Sequence, residues 1–181
     1  MSEAHERHSF QLDEATALLQ ATPATLRSLL APLPIAWIDF REDPEAWSPH
    51  MVLVHFIHNE LTNWMPRAKV ILSTEGECRF APFQQMPNPG EVDDKDIPST
   101  LDRFAALRRD NLATLRALNL TPNDYIRKGE HPSLGTVTLA QLLATWVVHD
   151  LNHTHQILKS LAKLQTAAVG PWRRNLAILD L

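Results

Sequence analysis

The chain has a single cysteine, Cys78, so no internal disulfide can form. Cys78 sits in a polar stretch without an evident neighbouring base, which gives no ground for a nucleophilic role. No apolar run approaches the roughly 18 residues of a membrane span. The opening residues, MSEAHERHSF, lack the apolar segment of a secretory signal, so a cytoplasmic protein is expected. No basic stripe interleaves with aromatic residues, and the formal net charge is -4. Nucleic acid is therefore not an expected partner. Convincing strand alternation is missing as well. What remains is a chain of 181 residues, 44% hydrophobic, which fits one ordered domain over 1–181 with a short N-terminal tail and an apolar C-terminal tail. The unusual count is histidine, with nine.

The stretch Thr138 to Gln165, TLAQLLATWVVHDLNHTHQILKSLAKLQ, has neither proline nor glycine. Leu139, Leu142, Leu143, Trp146, Ile157, Leu158, Leu161 and Leu164 recur at three- and four-residue spacing, which predicts a long amphipathic helix of roughly 40 Å. Thr138 and Gln141 fit a capping box at its start. His149 and His153, four apart, project from one face, whereas His155 lies about 200° around from His153 and points elsewhere. Two imidazoles at this spacing suit a borderline metal ion. They are two ligands only, and a pair of ordinary part-buried histidines fits the same helix.

Three further helices are predicted. The first runs from Leu12 to Leu30 and is expected to bend or divide at Thr22 and Pro23. The second opens at Ser48-Pro49, serine as cap and proline at the first helical position. It is expected to kink at Pro66 and resume to Leu72. The third begins at Ser99 or Thr100 and reaches Leu118. Its buried stripe is Leu101, Phe104, Leu107, Leu112, Leu115 and Leu118, with Arg108, Arg109 and Arg116 read as surface charges. Residues 35–47 form a connection rich in aromatics. Residues 73–100 form a long proline-bearing connection, with Phe80 and Phe83 pinning it to the core and a solvated acidic run from Glu91 to Asp96. A short helical piece follows Thr121-Pro122, and a turn through His131, Pro132 and Gly135 leads into the last helix. The simplest architecture is an all-α four-helix bundle, with the long connection crossing the bundle so that its second and third helices run parallel.

The second helix carries His55 near its middle, so three imidazoles, His55, His149 and His153, converge if it neighbours the fourth. Three histidines leave a coordination position open. His58 is expected as a fourth ligand or as a base beside the metal, with Asn59 and Thr62 placed to hold water or substrate. Glu60 points about 140° away from His55.

The combination WSPHMVLVHFIHNE and HPSLGTVTLAQLLATWVVHDLNHTHQI resembles the DinB/YfiT-like superfamily of metal-dependent enzymes, over about Phe10 to Leu164. The resemblance implies a four-helix bundle with a long crossover between the second and third helices. It also implies a divalent metal (nickel, zinc or iron) held by one histidine of the second helix and an HxxxH pair of the fourth. By motif these are His55, His149 and His153. Two departures stand out: His58 replaces an acidic residue frequent in the family, and His153 is followed by Thr154 and His155 where many relatives have a histidine directly after the ligand. The function implied is a metal-dependent enzyme, a thiol-dependent S-transferase using a low-molecular-weight thiol. The alternatives are a metal-dependent hydrolase and a non-catalytic metal- or small-ligand-binding stress-response protein. The apolar tail suits a homodimer.

Overall fold

The computed structural model describes residues 10–88 and 96–180. His5, His8, residues 91–95 of the acidic run and Leu181 lie outside them. Helix α1, Leu12–Leu30, passes through Pro23 unbroken. Proline has no N–H for the carbonyl four residues back, which is Leu19. Here Arg108 Nη1 donates to that carbonyl at 2.8 Å, so the orphaned acceptor is satisfied from another helix.

A one-turn α2, Ile35–Ile38, interrupts the connection to α3, Pro49–Thr62. Ser48 caps α3 by accepting from Met51 N–H at 3.2 Å, with Pro49 at the first helical position. The expected break near Pro66 falls earlier, at Asn63, because Pro66 cannot follow Thr62 in an unbroken helix without striking its carbonyl. A new helix, α4, Trp64–Leu72, accommodates Pro66 in its first turn, where no N–H is needed. Helix α5 spans Ile97–Ala117 and starts before the expected Ser99 or Thr100. Its cap is Asp96, which accepts from Ser99 N–H at 2.8 Å. After the turn α6, Pro122–Tyr125, come two short strands, β1, Lys128–His131, and β2, Gly135–Thr138, and then the long helix α7, Leu139–Lys163. The capping box at its start is formed: Gln141 N–H donates to Thr138 Oγ1, and Thr138 N–H donates to Gln141 Oε1. A turn of helix, α8, Thr166–Val169, and two 3-10 turns complete the chain. Leu179 of this tail is buried, while Trp172 is exposed.

The bundle pairs α1 with α5, α5 with α3, α3 with α7, and α7 with α1. Side-chain contacts give the directions. Phe56 stacks on Phe104 at 5.1 Å, and Glu60 binds Arg108 at 2.8 Å, so α3 and α5 run parallel. His55 meets His149 while Glu60 accepts from Trp146 Nε1, so α7 is antiparallel to α3. Arg27 binds Asp102 and Arg116 binds Gln20, so α1 is antiparallel to α5. The order is up, down, down, up, and the segment between α4 and α5 is the crossover that this order demands. Among the described residues, no helix is long and apolar enough to cross a membrane.

The β1–β2 hairpin stands where a plain turn was expected. It is strapped to the crossover: Phe80 N–H donates to Glu130 O at 2.9 Å, and Glu130 N–H donates to Cys78 O at 2.7 Å. A Cβ on Gly129 would lie 2.9 Å from both Ile71 and Phe80, so only glycine lets the hairpin approach this closely.

Two apolar clusters form the core. One joins Leu26, Leu30, Phe56, Phe104 and Ile157; the other joins Leu19, Trp64, Leu112, Leu143 and Trp146. On three of the four long helices the boundary between them is polar: Glu60 on α3, Arg108 on α5 and Asp150 on α7. Arg108, expected at the surface, is 1% exposed, and its guanidinium binds both carboxylates. Glu60 also accepts from Trp146 Nε1 and from Asn111 Nδ2. Burial pushes the Glu60 carboxyl upward against the opposing pull of Arg108 and Asn111. For Asp150, burial acts the same way, but contacts with His149, Arg108 and Thr22 outweigh it and hold its carboxyl below the usual range. Every partner of Glu60 is a donor, so the layer is satisfied as carboxylates around one guanidinium.

Candidate metal centre

At the level of this polar layer, α3 and α7 turn imidazoles toward each other. His55, His149 and His153 each offer a ring nitrogen, and these atoms lie within 4.8 Å of one another. The Nε2 atoms of His55 and His149 are 2.9 Å apart. The ring centroid of His153 is 4.6 Å from that of His55 and 4.3 Å from that of His149.

The other nitrogen of each ring decides what this cluster can do. His55 Nδ1 lies 2.5 Å from the carbonyl oxygen of Gln85, which can only accept, so Nδ1 carries the proton and Nε2 of the neutral ring holds the lone pair. His153 Nδ1 lies 2.8 Å from Gln156 Oε1, giving the same tautomer. His149 Nδ1 is buried without a hydrogen-bond partner, and the nearest carboxylate oxygen, on Asp150, is 4.0 Å away. His55 and His153 thus each present an Nε2 lone pair with Nδ1–H turned outward to an oxygen, the arrangement that metal-bound histidines adopt, and His149 brings its Nε2 beside that of His55. Two nitrogens bound to one ion at about 2.1 Å stand roughly 3.0 to 3.4 Å apart, close to the 2.9 Å between His55 and His149. The donor set fits a divalent ion such as zinc, nickel or iron.

The surroundings are aromatic. Trp47 stacks along His153 with planes 13° apart, Phe56 meets His149 and His153 edge-on, and Trp64 meets His149 edge-on at 5.0 Å. Beyond them opens a cavity of about 580 Å³, walled by the α3–α4 junction, by α7, by the crossover and by the hairpin. That volume suits a small molecule.

A family model matches residues 18–157, the DinB superfamily, and the match takes in all three imidazoles. The chain belongs to the DinB superfamily. Among solved structures this DinB chain is similar to "YfiT from Bacillus subtilis", described as "a probable metal-dependent hydrolase with an unusual four-helix bundle topology". The TM-score is 0.71 at 21% identity, over 91% of this chain and 95% of that one, so the two share a fold. No curated protein matches the chain significantly.

Within the DinB bundle, the remaining expected site residues are placed differently. His58 is buried but turns aside from the cluster. Its Nε2–H donates to Gln84 O at 2.9 Å, and its ring lies 5.4 Å from that of Phe83, on a neighbouring cavity. Thr62 faces that neighbouring cavity too, and its hydroxyl donates to the His58 carbonyl. Asn59 lines the main cavity, and its Nδ2 donates to His55 O at 2.8 Å. Glu60 is held in the polar layer by Arg108. His155 is exposed on the far side of α7. The carbonyls of Gln84 and Gln85 had no signal in the sequence, because any residue supplies a backbone oxygen. His58 and His55 grip this adjacent pair and fix the crossover over the site.

Burial pushes His55 down to about 3, with the neighbouring His153, His149 and His58 adding to it and the Gln85 carbonyl opposing. His153 is lowered as well, chiefly by burial and then by His149. These rings are neutral when folded and take up protons near pH 6.5 when unfolded, so the unfolded chain binds more protons as pH falls below that value. Their contribution to stability is present above pH 6.5 and is lost as pH falls toward 3. With a chelator present, the urea midpoint should drop between pH 7 and pH 4, and the drop should be shallower in His55→Gln. Equal slopes for the two proteins would reject this account.

Proposed function

We propose that the chain is a divalent-metal-dependent hydrolase acting on a small molecule held in the aromatic cavity, with His55, His149 and His153 as the metal ligands. The single observation that carries the proposal is the convergence of three imidazole nitrogens on the lining of that cavity. The description of the similar B. subtilis protein as "a probable metal-dependent hydrolase" favours hydrolysis over the S-transfer expected first. A bound divalent ion would supply Lewis acidity and a water ionised near neutral pH. Neutral imidazoles leave the positive charge of such an ion undiminished.

The chain's own residues supply the rest. The Gln85 carbonyl keeps His55 in its ligand tautomer, and Gln156 does the same for His153. Phe56 packs against the imidazoles from the core, and Trp47 and Trp64 line the cavity, where they offer apolar faces to a substrate. His58 serves as a positioning residue that anchors the crossover through Gln84, in place of the base expected from the sequence.

Thiol-dependent S-transfer is the second reading, because a divalent ion held by His55, His149 and His153 would keep its full charge and favour ionisation of a thiol in the same cavity as well as of water. The test is turnover of a panel of esters, amides and electrophiles by zinc-, nickel- and iron-loaded protein, with and without low-molecular-weight thiols. Hydrolysis without thiol that disappears with chelator and returns with metal is the expected result. Turnover only with thiol would replace hydrolysis by transfer, and no turnover by fully metallated protein would overturn both.

A further inference from the structure

The cavity that the imidazoles line also carries an unspent cation. Arg67, in the first turns of α4, is the one Lys or Arg among the described residues lining the cavity. Its guanidinium is held between two aromatic faces, 5.0 Å from the ring centroid of Phe80 and 5.5 Å from that of Phe83. Among the described residues its side chain makes no hydrogen bond or ion pair, and Nη2 is buried without a partner. The fully buried Arg108 has two carboxylates and a carbonyl for its guanidinium, whereas the half-buried Arg67 has only aromatic faces. Burial also draws the pKa of Arg67 down, the direction for a cation lacking its counter-charge. Two neighbours at the α3–α4 junction are in the same condition. Trp64 Nε1 and Asn63 Oδ1 are buried without hydrogen-bond partners, and both residues line the cavity. The helix break at Asn63 thus delivers three unpaired polar groups to the lining of the cavity that the imidazoles share.

We propose that Arg67 is the anchor for a carboxylate on the substrate, which would fix the substrate's far end while its reactive bond faces the imidazoles. The geometry of a guanidinium matches a carboxylate through two parallel hydrogen bonds. One cation answers one negative charge. A phosphate monoester carries about -1.5 to -2 and would call for further Lys or Arg side chains, which the described residues of the cavity wall lack. The aromatic faces of Phe80 and Phe83 keep the guanidinium plane oriented in advance of binding. The other charged wall residue, Glu45, is exposed. The proposal rests on the hydrolase reading only for the direction in which the reactive bond points.

The test uses the full chain treated with chelator, so that a carboxylate has no metal to bind, and two probes of one shape, 3-phenylpropionate and its neutral amide. Wild type should bind the acid about tenfold or more tightly than the amide. Arg67→Met should abolish the preference, and Arg67→Lys should keep part of it. Equal binding of acid and amide by wild type, or an undiminished preference in Arg67→Met, would overturn the proposal. Zinc uptake measured on the same samples separates this from the metal reading. Normal uptake without an acid preference overturns the carboxylate anchor alone. An Arg67-dependent acid preference without zinc uptake upholds the anchor and overturns the metal centre.

Discussion

His153→Ala should lower zinc affinity by at least about 100-fold, the loss expected when a direct ligand goes rather than one of its supporting hydrogen bonds. His149→Ala should do the same. His155→Ala, two residues on, should change nothing, because its side chain is exposed on the other side of α7. His58→Ala should keep most of the affinity, since its imidazole binds a loop carbonyl and stands apart from the cluster. Competition titration against a zinc indicator reads all four. Equal losses in His153→Ala and His155→Ala would mean that zinc is held by surface histidines, and the three-imidazole site would fall.

Arg108→Met should destabilise the chain by roughly 3 to 5 kcal/mol, the range for removing one partner from a buried ionic cluster. For a domain this long that is a large part of the whole stability and lowers Tm by about 10 °C. Three acceptors lose their donor at once: Glu60, Asp150 and the Leu19 carbonyl beneath Pro23. Adding Glu60→Gln and Asp150→Asn to Arg108→Met should recover part of the loss by removing the stranded charges. A Tm for Arg108→Met within a degree or two of wild type would show that the layer is not satisfied through Arg108.

Much of this site was legible because its signals are local. An HxxxH pair fixes its own geometry once the helix is recognised, and a capping box or a Ser-Pro start declares a helix end within four residues. The third imidazole required only that the second and fourth helices be neighbours. What escaped depended on distant partners. Arg108 was read by its charge, although it continues the buried stripe of Leu101, Phe104, Leu112 and Leu115 at helical spacing. The stripe was the better guide, because a charge can be buried wherever two carboxylates meet it. The hairpin has four-residue strands with two glycines and few apolar side chains, so it has no alternation to detect. It is held by a crossover that supplies one strand-like bridge and by a close approach at Gly129. The break at Asn63 was displaced from Pro66 because a proline disturbs the turn before it, not the turn it starts.

The up, down, down, up order has a consequence for how the chain assembles. Neighbouring helices in space are seldom neighbours in sequence: α1 waits for α5, and α3 completes its surroundings only when α7 arrives. His55 and His149 are 94 positions apart. No early helical hairpin can hold even two ligands from different helices, so the nascent chain offers an ion nothing better than a bare HxxxH pair. Such long-range closure slows folding and leaves the partly built bundle exposed for longer. Once the last helix docks, an ion gripping both ends of that 94-position loop opposes the first separation of α3 from α7. Metal occupancy would then act mainly as a latch on unfolding, with little influence on the rate at which the bundle is built.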